Sequence, residues 1–173
     1  EVIILFVGSG FERKGLKYLI KSVQYLKQKK WKLVLVGKGK VKKYLNYASE
    51  ENRWKITHLE PIDEIEKLYA AADVFILPSI YEPFGNANLE ALASGLPIIT
   101  SRNCGVAEII TPKKEGIILE ESSDSKAMAK AIDYLMDSKN REPMRQSARL
   151  LAEKFTQERN AFEMLKIYQE LIE

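Results

Sequence analysis

Val2-Ile-Ile-Leu-Phe-Val-Gly8-Ser-Gly-Phe-Glu-Arg-Lys-Gly15-Leu-Lys-Tyr-Leu-Ile-Lys-Ser-Val-Gln-Tyr-Leu26 is the stretch whose reading decides the fold. Val2 to Val7 is an unbroken apolar run, rich in β-branched residues and too short for a helix, so it reads as a strand buried on both faces. Beyond Gly8 the period changes. From Gly15 to Lys29, the residues Leu16, Leu19, Ile20, Val23 and Leu26 recur at helical spacing on one face. Strand, glycine turn and amphipathic helix open a βαβ unit.

The same alternation continues outward. Lys32 to Val36, before Gly37-Lys-Gly39, reads as a second strand, Val41 to Glu51 as a helix and Lys55 to Leu59 as a third strand. Ile62 to Ala72 is helical, and Asp73 to Leu77 is a fourth strand stopped by Pro78. Asn86 to Ser94 is a helix closed by Gly95, followed by strands at Leu96 to Thr100 and Gly116 to Leu119. The tail, Ser125 to Glu173, is almost wholly helical, with breaks expected near Asn140 to Pro143 and at Phe155-Thr156. No fixed-period repeat or low-complexity tract interrupts the pattern. The expectation is one α/β domain over residues 1–173, a doubly wound, mostly parallel sheet of about six strands that binds ligands at its carboxyl ends.

Composition narrows the function classes. The chain has 173 residues, 46% hydrophobic and 29% charged, which suits one globular core and rules out a disordered or collagen-like chain. Val2 to Val7 is the longest apolar run, far short of the roughly 20 residues of a membrane-spanning helix, and no basic segment with a following apolar run opens the sequence. A soluble chain without an export signal is therefore expected. Cys104 has no second cysteine to pair with, and one cysteine with one histidine makes no cluster of soft metal ligands, so a reducing cytoplasm and no metal are expected. Residues 1–60 hold 14 basic and 5 acidic side chains, a balance of +9, whereas residues 61–173 hold 13 and 19, a balance of −6. The basic half allows an anionic ligand, a membrane surface or nucleic acid, or is simply a solvated lysine-rich face. No aromatic-basic motif accompanies it, so no nucleic-acid partner is expected. A peripheral membrane contact through Lys27, Lys29 and Lys30 stays open.

Two segments carry the polar groups of a site. Gly8-Ser9-Gly10, with Lys14-Gly15 at the entrance of the first helix, sets bare amides and an ammonium where a phosphate is favoured. It is neither a GxGxxG fingerprint, since Arg13 stands where that pattern needs glycine, nor a P-loop. A tight turn with a surface lysine is the alternative. The second segment is Ser79-Ile-Tyr-Glu-Pro-Phe-Gly-Asn-Ala-Asn-Leu-Glu-Ala-Leu-Ala-Ser-Gly-Leu-Pro97. Pro83 and Gly85 keep Glu82 in the loop after the fourth strand, while Glu90 falls about one turn inside the next helix. Two acceptor carboxylates flanking an amide-rich helix entrance suit a nucleotide sugar, with hydroxyls at both ends and a diphosphate between.

Glu82-Pro-Phe-Gly-Asn-Ala-Asn-Leu-Glu90 resembles the Glu-x7-Glu signature of retaining GT-B glycosyltransferases. Ala91 to Pro97, Gly105-Val-Ala-Glu-Ile-Ile110, Gly8 through Gly15, Tyr69-Ala-Ala-Ala-Asp73 and the closing helix extend the resemblance to family 4 over nearly the whole chain. The resemblance implies a Rossmann-like domain, the C-terminal half of a GT-B fold, with an acceptor-binding N-terminal half lying outside this sequence. It implies transfer of a hexose from a nucleotide diphosphate sugar, most often a UDP-sugar, with retention and without a metal or cofactor, to a glycan or glycolipid. By position, Glu82 with Phe84, Gly85 and Asn86 would meet the sugar. Gly8, Ser9, Gly10, Lys14 and the amides of Asn88 and Leu89 would meet the phosphates, Glu90 the ribose and Ile62 the base. Glu82 and Lys14 would be the catalytic pair. Many members carry Arg where this chain has Ser9, and Arg13 is the candidate replacement. The Gly-Ser-Gly variant resembles the lipopolysaccharide-core glucosyltransferase branch, which implies cell-envelope polysaccharide biosynthesis. A non-catalytic nucleotide-sugar-binding module is the alternative.

The implied order of ribose, diphosphate and hexose predicts that Glu82→Ala leaves a free nucleoside diphosphate nearly untouched, whereas Glu90→Ala weakens it. Other chemistry-bearing residues read more simply as structure. Cys104 is expected to be packed rather than nucleophilic, because no histidine lies where it could activate the thiol. His58 reads as a satisfied structural histidine, Trp31 and Trp54 as packing residues, and Lys113-Lys114 as a solvated loop.

Overall fold

The computed structural model describes residues 1–172. Six strands, β1 (Val2–Val7), β2 (Trp31–Val36), β3 (Ile56–Leu59), β4 (Val74–Leu77), β5 (Ile98–Ser101) and β6 (Gly116–Leu119), form one sheet. Their order is β3-β2-β1-β4-β5-β6, and every neighbouring pair is parallel. The α/β Rossmann-like fold expected from the alternating pattern is the fold observed. All four residues of β4 are fully buried, the physical reason that its sequence is apolar without alternation.

The chain winds outward from β1 to β3, then crosses back to β4 and winds the other way. Right-handed crossovers therefore put helices on both faces, and the β1 and β4 loops diverge at their carboxyl ends to open a crevice. The helices are α1 (Leu16–Ser22), α2 (Lys42–Leu45), α3 (Glu50–Arg53), α4 (Ile65–Ala71), α5 (Asn86–Ala93), α6 (Ser125–Met136), α7 (Ser138–Ala152) and α8 (Gln157–Glu170). α1 packs on α6, and α5 on α7.

Several expected boundaries move, each for a tertiary reason. The first helix was expected to reach Lys29 but ends at Ser22, with a 3-10 turn over Val23–Tyr25. The Asp133 carboxylate on α6 accepts the amides of Lys27 (3.1 Å) and Gln28 (3.3 Å), which holds them outside a helix. The helix expected over Val41 to Glu51 is instead two short turns, α2 and α3. Ser49 between them is extended, and Arg53 Nε donates to the carbonyls of Leu45 (3.2 Å) and Ala48 (3.3 Å). The helix expected from Ile62 starts at Ile65. In the tail the break falls at Asp137 rather than at Asn140 to Pro143, because the Asp137 carboxylate caps α7 at the Lys139 amide (2.9 Å), and Pro143 lies inside that helix. The second break stands where expected, with the Thr156 hydroxyl capping α8.

α8 carries no buried residue, and Phe162, Leu165 and Tyr168 are each more than half exposed. Among the described residues no helix is long and apolar enough to cross a membrane.

Candidate functional site

Two loops meet at the crevice. The first, residues 8–15, leaves β1 and is tied to the end of β2: the Gly8 amide donates to Val36 O (2.8 Å), and the Ser9 hydroxyl accepts the Lys38 amide (3.0 Å). Gly8 has φ +148°, and a β-carbon there would lie 2.5 Å from Cδ of Lys14 and 3.0 Å from its Nζ. Only glycine lets the Lys14 side chain lie back across the end of β1.

The second loop, residues 78–85, leaves β4 and is joined to the first, since the Ile80 amide donates to Arg13 O (2.8 Å) and Arg13 Nη1 donates to Tyr81 O (2.8 Å). At this junction Lys14 Nζ lies 3.0 Å and Arg13 Nη1 2.8 Å from the same atom, Glu82 Oε2. Lys14 and Glu82 are only 12% and 14% exposed, whereas Arg13 is 48% exposed. Burial alone would push the Glu82 carboxyl up. The hydrogen bonds and charges of Lys14 and then Arg13 outweigh it and hold the carboxyl below its ordinary range.

A third segment supports Glu82 from behind. The Glu82 amide donates to Asn103 O (3.1 Å), its carbonyl accepts the Gly105 amide (3.0 Å), and Phe84 O accepts the Val106 amide (3.0 Å). Cys104 is 1% exposed, and its thiol donates to Phe84 O (3.2 Å) and accepts Nδ2 of the fully buried Asn88 (3.4 Å). Burial is the main influence pushing this thiol up, so it stays protonated as a packing group. Gly85 has φ +88°, and a β-carbon there would lie 2.8 Å from both Asn88 Nδ2 and Cys104 Sγ. A side chain at Gly85 would therefore lift the Glu82 loop off its support.

Glu90 has different surroundings. It is exposed on α5, and Oε2 accepts the hydroxyl of Tyr69 (2.8 Å), a 2% exposed residue of α4. Burial first, then the Glu90 charge, pushes the Tyr69 phenol far up, so it remains a donor. The only sequence signal at Tyr69 is that it opens the family-like segment Tyr69 to Asp73; as an apolar-face aromatic on an amphipathic helix it otherwise reads as core, not as a site residue.

The structure thus brings Lys14, Arg13 and Glu82 into contact, with Gly85 packed beneath Glu82. Between the two glutamates, Phe84 is half-buried and Asn86 exposed at the α5 entrance. The Asn88 amide donates to Gly85 O (2.8 Å), and the preceding amides, of Asn86 and Ala87, are the helix-end donors without an intrahelical acceptor. Leu89 is half-buried in the first turn of α5, Ser9 and Gly10 are exposed at the β1 end, and Ile62 is 40% exposed between β3 and α4.

Two depressions flank the ion pair. One of about 470 Å³ is lined by Gly10, Phe11, Arg13, Lys38, Lys43 and Tyr44 among others; the other, of about 350 Å³, by Tyr81, Glu82, Pro83, Arg102 and Cys104 among others. His58 Nε2 lies 2.8 Å from Gly37 O, with its ring edge-on to Phe11, a structural placement. Trp31 is buried as expected. Trp54 is not a packing residue: it is 68% exposed where α3 ends beside the edge strand β3. Among the described residues no group of three or more His, Cys, Asp or Glu side chains gathers as a metal site.

Comparison with known proteins agrees with this architecture. An uncharacterised glycosyltransferase of Methanocaldococcus jannaschii is 40% identical over 122 residues, which cover 68% of this chain and 31% of that protein. The crystal structure of WaaG, a glycosyltransferase involved in lipopolysaccharide biosynthesis, superposes with a TM-score of 0.81 at 28% identity, covering 88% of this chain and 43% of the other. Sucrose-phosphate synthase from Thermosynechococcus elongatus gives 0.82 at 29% identity, covering 99% and 46%. The chain spans 31% and 48% of the length of two curated relatives from Methanocaldococcus jannaschii. Residues 1–151 match the family described as glycosyl transferases group 1, to which the chain belongs.

Proposed function

We propose that residues 1–173 form the donor-binding domain of a retaining family 4 enzyme that transfers a hexose from a nucleoside diphosphate sugar, in first place a UDP-sugar, to a glycan or glycolipid. The observation that carries the reading is the pairing of Glu82 with Lys14 and Arg13 at the crevice between β1 and β4, while Glu90 stands apart on α5 with only a neutral phenol on it. A diphosphate lying between the two carboxylates takes its counter-charge from the cations and the α5 amides, so the reading calls for no metal. Lys14 stabilises the charge that develops on the leaving diphosphate, and this raises the rate because it is stronger in the transition state than in the ground state. Glu82 holds the hexose hydroxyls, with Phe84, Gly85 and Asn86 around the ring. Glu90 takes the ribose hydroxyls, and main-chain groups near Ile62 take the base.

The acceptor lies outside this domain in the same reading. Relatives are two to three times longer than the matched part, and the exposed apolar side chains of α8 suit a surface that another domain covers. The similarity to WaaG supports a cell-envelope sugar, and exposed Lys27, Lys29 and Lys30 suit a cytoplasmic enzyme touching the inner face of a membrane. Titration calorimetry of the chain with UDP, GDP and ADP and their glucose conjugates, with and without a chelator, tests the proposal. One nucleoside diphosphate binds with chelator present if it holds. No binding by any of them overturns the donor site, and strict magnesium dependence overturns its metal-free form. The chain alone is expected to hydrolyse donor slowly at most, since half of the cleft is open to water.

A further inference from the structure

We infer that Glu82 is an internal counter-ion of the crevice, and that a nucleoside diphosphate binds by taking both Arg13 and Lys14 from it. This rests on the donor-site reading above. Both cations converge on one oxygen, Glu82 Oε2, at 2.8 and 3.0 Å. One carboxylate charge faces two positive charges, so the cluster keeps an excess of +1 at the mouth of the crevice. A diphosphate carries more negative charge and more acceptor oxygens than a carboxylate, and it competes for the same donors.

The cations are mounted for such an exchange. The Lys14 stem is laid in the groove left by Gly8, which holds its ammonium at the end of β1, and its head is nearly buried. Arg13 is half-exposed and lines the larger depression on the β1 side, while Glu82 lines the smaller one across the ion pair. Both hydrogen bonds of the Arg13 guanidinium use Nη1. Its Nε and Nη2 donors have no hydrogen-bond partner among the described residues and offer a second fork to a phosphate. Ser9, the other polar side chain at the start of that loop, accepts the Lys38 amide and carries no charge, so its hydroxyl can donate to a phosphate but supplies no counter-charge. Arg13 is thereby the second phosphate-binding cation of this loop.

The exchange couples the two halves of the donor. When the diphosphate draws Arg13 and Lys14 away, Glu82 loses both partners and becomes a free acceptor beside the position of the sugar. Glu82 therefore opposes a free nucleoside diphosphate and favours the intact nucleotide sugar. This reverses the expectation from the motif order alone, that Glu82 is indifferent to the diphosphate.

Calorimetric titrations of the 173-residue chain with inorganic pyrophosphate, UDP and UDP-glucose, on the wild type and on Glu82→Gln, Arg13→Gln and Arg13→Lys, test this. GDP or ADP and its glucose conjugate replace the uridine pair if one of them is the nucleotide bound. Glu82→Gln should bind pyrophosphate and UDP about fivefold more tightly, and Arg13→Gln about tenfold more weakly, with Arg13→Lys recovering part of the loss. The gain from Glu82→Gln should shrink or invert with UDP-glucose. Unchanged or weaker binding of both anions to folded Glu82→Gln, or full affinity of Arg13→Gln, overturns the inference. The Arg13 variants change a half-exposed side chain, so they test the cation role even if Glu82→Gln destabilises its loop. If pyrophosphate shows the full pattern but no nucleoside diphosphate binds, the counter-ion stands and the donor-site reading fails.

Discussion

The loop that carries Glu82 and the helix that carries Glu90 present the same side chain eight residues apart, yet build opposite environments around it. Glu82 is nearly buried, gripped by two cations in front and fastened from behind by the segment around Cys104. Glu90 is exposed on a regular helix and steadied by one phenol whose proton is firmly held. An ion pair yields when a stronger anion arrives, because its partners gain by the exchange. A hydrogen bond from a neutral donor has no such competitor. The difference teaches that a motif can space two carboxylates while their neighbours decide whether each is a changing or a constant partner.

Four experiments break or sharpen that contrast. Gly85→Val should have the largest effect, removing the Glu82 environment while leaving α5 its Tyr69 contact. The left-handed backbone and the crowding against Asn88 and Cys104 together cost about 2–5 kcal/mol, measurable by urea denaturation. A wild-type midpoint would show that the loop does not need its packed support.

Glu90→Ala follows, with an expected loss of about 1–3 kcal/mol in the binding of both UDP and UDP-glucose, read by calorimetry on protein shown to be folded by circular dichroism. Equal affinity for UDP would remove Glu90 from the ribose. Tyr69→Phe keeps the ring but releases the Glu90 carboxylate, so UDP should weaken by about 1 kcal/mol or less. If Tyr69→Phe costs as much as Glu90→Ala, the phenol itself and not the carboxylate meets the ligand.

The smallest effect concerns acid. Because the folded Glu82 carboxyl is held below its ordinary range, its pairing contributes stability at neutral pH that is lost as pH falls from the ordinary carboxylate range through the depressed one. The contribution is about 0.5 kcal/mol for a pair with a half-exposed arginine, and Glu82→Gln should flatten that part of the acid unfolding curve. An acid limb of unchanged slope in the variant would mean that the pair adds nothing to stability.

Local pattern by itself determined the strand–helix alternation, the parallel sheet and the positions of Lys14, Glu82 and Glu90 at strand ends and a helix entrance. Burial on both faces removes alternation from parallel strands, and glycine and proline mark where strands stop, so these features are written in neighbouring residues. Only the tertiary structure decided that Arg13 and Lys14 share one oxygen of a residue 69 and 68 positions away, that Tyr69 reaches Glu90, and that Trp54 stays in solvent. It also ended the first helix early, through Asp133 of α6, and kept Pro143 inside α7. The physical reason is common to all of these. Periodicity reports which face of a segment is buried, whereas the partner of a side chain depends on which distant segment the folded sheet brings within hydrogen-bond reach.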